Sequence, residues 1–121
     1  MAAPNLVNVA TITAKSVQAT LDTTLTTEIL ANASSSGKVF KVNAIIVANI
    51  DGSSAADASV FITKSGGSPV AFASTISVPA DATLVVIDKN SSIYLEEGDN
   101  IEAGASANSD LTITISYEEL S

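Results

Sequence analysis

Between positions 96 and 102 the chain carries four carboxylates, Glu96, Glu97, Asp99 and Glu102. Two carboxyls held about 5 to 10 Å apart can act as acid and base across a sugar ring. That chemistry also needs a cleft walled by aromatic platforms. The chain has five aromatic residues in all, Phe40, Phe61, Phe72, Tyr94 and Tyr117, so the segment reads as a solvated acidic turn. Asp51 and Asp57 bracket a Gly/Ser loop whose oxygens could hold calcium, but their spacing fits no EF-hand and Asp51-Gly52 is ordinary turn chemistry. Serine and threonine are plentiful. With no histidine and no cysteine, and no Ser-x-x-Lys pair expected, nothing is seen that could activate a hydroxyl nucleophile. Gly66-Gly67 is followed by no Gly-Lys-Ser/Thr and no helix, so it is read as a turn and not a phosphate loop. Tyr94 and Tyr117 could stack on a sugar; more commonly such rings are buried at a sheet edge with the hydroxyl in water.

The segment best able to position anything is 38 to 51, Lys-Val-Phe-Lys-Val-Asn-Ala-Ile-Ile-Val-Ala-Asn-Ile-Asp. Taken two by two, Phe40, Val42, Ala44, Ile46, Ala48 and Ile50 are all apolar, which on a strand places them on one face. A helix would scatter them around its circumference, and the β-branched content is high. The alternation predicts that these six form the core side. On the other side stand Lys41, Asn43, Asn49 and Asp51, with Ile45 and Val47 between them. Ile45 and Val47 are therefore the candidate interface, an apolar centre on an otherwise polar outer face.

Composition limits the possibilities further. A chain of 121 residues is read as one domain spanning 1–121, with 1–5 as a flexible arm. With aromatics at only 4%, the core must be filled by Val, Ile, Leu and Ala. A thin core of this kind gains stability by burial against copies of itself. The net charge is −8. All five lysines precede residue 90, whereas seven of the thirteen acids, Glu96 to Glu119, follow it. Phosphate binding depends on cations that release counterions, so nucleic acid and anionic membranes are poor partners. Absent histidine and cysteine also remove the commonest metal ligands, and no cofactor is expected. The first residues lack an apolar run or a cation before Lys15, unlike a secretory signal or a membrane anchor.

In chain order, β-prone segments are read at 5–14 and 17–21, at 23–31, at 38–51, at 58–64, and at 70–72 with 75–78. Further segments follow at 83–87, a run without alternation that suggests cover on both faces, then at 93–95, 101–105 and 111–117. Turn residues recur roughly every ten positions and no helical crossover joins two strands. The fold expected is all-β, a single antiparallel β-sandwich of about eight or nine strands. A jelly-roll arrangement is favoured over an immunoglobulin-like one, with the long early strand and the long final strand side by side in mid-sheet.

Residues 27 to 119 resemble small all-β virion structural proteins of tailed bacteriophages, including cyanophages. The features that carry the likeness are the strand Val42 to Asn49, the Val60-x-Ile62 strand, the turn Leu95-Glu96-Glu97-Gly98-Asp99-Asn100-Ile101, and the closing Ser116-Tyr117-Glu118-Glu119-Leu120. The Leu-x-x-Gly-Asp-x-Ile turn also occurs in unrelated jelly rolls, where Gly-Asp makes the bend and the flanking Leu and Ile enter the core. The resemblance implies a non-enzymatic particle component located in the virion and assembled in the host cytoplasm. Its implied partners are the major capsid protein or other virion proteins and further copies of itself, a trimer among the options. A capsid decoration or cement protein is the first expectation; a tail-fibre, knob or neck component is the alternative, and a carbohydrate-binding module is the competitor from another class.

Overall fold

A computed structural model describes residues 4–121; Met1 to Ala3, and with them most of the expected arm, lie outside the described residues. The side chain of Asn5, at the end of that arm, accepts from the Val7 amide and caps a short 3-10 helix, Leu6–Asn8. Nine strands follow among the described residues: β1 Ile12–Thr20, β2 Thr27–Ala31, β3 Val39–Asn49, β4 Ala56–Thr63, β5 Val70–Val78, β6 Thr83–Ile87, β7 Ile93–Leu95, β8 Asn100–Ala105 and β9 Leu111–Leu120. Every pairing is antiparallel. One sheet runs β1-β9-β3-β6, with β7 also on β3, and the other runs β2-β8-β4-β5. The chain crosses between the sheets at almost every connection, so each sheet is stitched to the other along its length. The long strand β3 and the final strand β9 do lie side by side in mid-sheet.

The buried side chains of the two sheets meet in one core that includes Val42, Ile45, Val47, Val60, Ile101, Leu111, Ile113 and Ile115. Phe40 and Tyr117 add the largest rings, tilted 37° with centroids 5.2 Å apart, a favoured aromatic arrangement.

The alternation read across 38–51 fails part-way along β3. Val42 pairs with Tyr117 and Ala44 with Ser116, so Asn43 is an extra residue with no partner on β9. A bulge of this kind changes which residues face the core. Before it Phe40 and Val42 point inward; after it Ile45 and Val47 do, both fully buried. Ile45 and Val47 are therefore core residues and not an outer interface. Ala44, Ile46 and Ala48 move to the outside, and Ile50, beyond the end of β3, is 60% exposed.

Three other segments differ from expectation. Residues 5–14 and 17–21 are not two strands; the chain turns at 6–8 and then forms the single strand β1. The pieces at 70–72 and 75–78 are one strand, β5, interrupted by irregular pairing where Thr75 adopts φ 54°. Finally, β6 is not covered on both faces: it pairs only with β3, and Val85 is 55% exposed.

Candidate functional site

Most polar groups of the acidic turn at 95–101 are committed to structure, the buried Oδ1 of Asn100 being without a hydrogen-bond partner. Leu95 and Ile101 are buried in the core, and Gly98 between them has φ +87°. A side chain on Gly98 would also collide with Ser65, whose Oγ lies 2.7 Å from the position of a Cβ. Asp99, 2% exposed, accepts from the amides of Glu96 (2.8 Å) and Ser65 (3.0 Å) and binds the Lys64 ammonium. It thereby ties the β7–β8 turn to the β4–β5 turn. Burial by itself pushes the Asp99 carboxyl up. Lys64 and the two amides outweigh it and hold the group below the usual carboxylate range. Glu96 bonds the same lysine, Glu97 accepts from the Gly37 amide, and Glu102 accepts from Thr63. Glu96, Glu97 and Asp99 do line one open pocket, together with Lys64, Ser65, Val39 and Pro4, but Glu96 and Asp99 share the Lys64 ammonium there and Glu97 is held by the Gly37 amide.

The other sequence candidates are likewise occupied. Asp51 accepts from both the amide and the hydroxyl of Ser53 at 2.9 Å, which lowers its pKa, while Asp57 sits on β4 opposite Ser77. The two aspartates are parts of a turn and a ladder. Tyr117 is buried on the core side and Tyr94 is 42% exposed on β7, so the two rings form no shared platform. The spacing Ser35-x-x-Lys38 does occur, contrary to the expectation that none exists. Its lysine is taken by Glu119 at 3.1 Å, which also binds Lys15. Among the described residues no group of three or more His, Cys, Asp or Glu side chains is placed to hold a metal ion.

What remains is the outer face of the larger sheet. The bulge at Asn43 turns Ala44 and Ile46 outward, and Ile46 pairs with Val85 of β6. Together they floor a groove of ≈ 460 Å³ whose rim carries Lys41, Lys89 and Glu118. Of the five lysines, Lys15, Lys38 and Lys64 are paired with acids; Lys41 and Lys89 form no salt bridge among the described residues, and both stand on this rim. An apolar floor ringed by uncommitted charge is the composition of a protein contact surface. The sequence showed an apolar centre on the outer face but assigned the wrong residues to it. The signal that could have located them is Asn43, a polar residue inside an apolar run where a bulge interrupts the ladder.

Comparison with known proteins adds no relative: no family model matches the chain, and no curated protein or solved structure does.

Proposed function

We propose that this chain is a non-enzymatic structural protein of a tailed-phage virion, acting as a capsid decoration or cement protein. The observation that carries the reading is the groove floored by Ala44, Ile46 and Val85. It offers a contact surface on the flat side of a sandwich whose reactive side chains are otherwise used up in turns. The strand order supports a jelly-roll winding, because the first strand lies beside the last and strands from both halves of the chain interleave in each sheet. In the turn Leu95 to Ile101, Gly98-Asp99 bends the chain and the flanking residues enter the core, a geometry shared with jelly rolls outside the phage group. Partner capsomers would seat an apolar side chain on Ile46 and Val85 and answer Lys41 and Lys89 with carboxylates.

Quantitative mass spectrometry of purified virions tests this directly. Copies comparable in number with the major capsid protein support a shell-coating role, a few to a few dozen indicate a neck or fibre part, and none overturns the virion reading. Ile46→Asp should fold and fail to coat particles; coating at wild-type density by that variant removes the groove as the contact.

A further inference from the structure

The two sheets have four edges, and three are blunted. In the smaller sheet β2 has five residues and a register shift between Glu28 and Leu30. On its far side β5 has two irregularities, at Ala58/Val60 and Val60/Phe61 of its partner, and is flanked by Pro69 and Pro79. In the larger sheet the β6/β7 edge is interrupted by the 3-10 turn Lys89–Ser91 and has its own register shift. Bulges, prolines and short strands are the ordinary protections against edge-to-edge pairing.

The fourth edge, β1, has none of them. Its nine residues pair with β9 from Ile12↔Leu120 to Thr20↔Thr112 without a shift, and it contains no proline. Among the described residues nothing pairs on its other side, and seven of its nine residues are exposed. A straight strand of this length presents a row of unpaired amides and carbonyls, which another strand satisfies.

Charge selects the occupant. The chain carries −8, and like-charged copies repel, yet no Asp or Glu precedes Asp22 and the only charge on β1 is Lys15. That charge is already answered by Glu119 at 3.1 Å. The edge is thus an acid-free strip on an acidic molecule, through which two copies can approach. We infer that β1 pairs antiparallel with β1 of a second copy about a two-fold axis at Ser16, making the two five-stranded sheets continuous. In this register Ser16 lies opposite Ser16, Lys15 opposite the second copy's Val17, and Ile12 opposite its Thr20, so no like charges are directly opposed.

The inference does not rest on the virion reading, because it is tested on the purified chain without particles. Light scattering across a concentration series should show a dimer for the wild type. Ser16→Lys, which places two ammoniums opposite each other on an exposed position, should weaken the dimer up to ~5-fold. Mixing Ser16→Lys with Ser16→Glu should restore a heterodimer. The chain has no cysteine, so oxidised Ser16→Cys should give a covalent dimer and Val85→Cys should not. A wild type that stays monomeric at every concentration overturns the inference, as does a dimer broken by Ile46→Asp but indifferent to Ser16→Lys. The second result would assign self-association to the groove.

Discussion

Val42 stands opposite Tyr117 while Ala44, two positions on, stands opposite Ser116, and this single extra residue decides which side of β3 meets the core. From it follows a pair of opposite outcomes for neighbouring residues. Val47→Asp buries an unpaired charge at a fully buried position, a cost of several kcal/mol against a total stability of about 5–15 kcal/mol. The variant should not fold cooperatively. Ile46→Asp places its charge on the outer face and should change stability by no more than about 1 kcal/mol. Thermal melts of the two variants check the assignment; a folded Val47→Asp with an unfolded Ile46→Asp would reverse the faces.

Gly104 lies directly beneath the segment that carries the chain from β1 to β2. A Cβ there would stand 2.4 Å from Leu25 Cα and 2.6 Å from the Thr24 carbonyl oxygen, so relief requires backbone to move. Gly104→Ala should destabilise by about 1–3 kcal/mol, as overpacking does. Leu25→Ala, which leaves the backbone contact in place, should not rescue it. Chemical denaturation of both single variants and the double variant measures this.

Asn32, 1% exposed, holds one end of the sandwich together. Its Nδ2 donates to the carbonyls of Lys38 (2.8 Å) and Leu95 (3.0 Å), and its Oδ1 accepts from Ser36. Asn32→Asp keeps the shape but turns the donor into an anion facing two carbonyl oxygens. The expected loss is at least ~3 kcal/mol at neutral pH, since two buried acceptors and a charge are left uncompensated. Lowering the pH to protonate the new carboxyl should recover part of it; an unchanged melt at pH 7 would deny Asn32 this role.

Asp99 and Lys64 make the joint between two turns sensitive to pH at both extremes. The Asp99 carboxyl is held below its ordinary value, so its contribution is present above that value and is lost as pH falls through the lowered one. Lys64 is raised by Asp99 first and Glu96 second; its contribution is present below the ordinary lysine value and is lost as pH rises through the raised one. Asp99→Asn should cost about 1.5–3 kcal/mol near neutrality, the range for hydrogen bonds to a charged group. The gap between variant and wild type should close on acidification below about pH 4. A gap that is constant from pH 7 to pH 2 would show that the charge contributes nothing.

Much of the molecule was determined by local sequence. The strict alternation Leu111, Ile113, Ile115, Tyr117 places β9 and its inward face, and Gly98-Asp99 between Leu95 and Ile101 dictates a turn with both flanks in the core, because these features depend on period and backbone conformation alone. The absence of histidine and cysteine restricts the available chemistry without any coordinates. Other facts arise only from pairing. The largely apolar residues of β3 alternate in the same way whether or not the ladder skips one, so the outward turn of Ile46 and the burial of Ile45 and Val47 are fixed only by the pairing with β9, in which Asn43 has no partner. Likewise Asp99 becomes a buried joint only because Lys64 and Ser65, over thirty positions away, are brought to it by the neighbouring β4–β5 turn. Period and turn chemistry are local properties of the chain, whereas face, edge and partner are set by which strands the fold places next to each other.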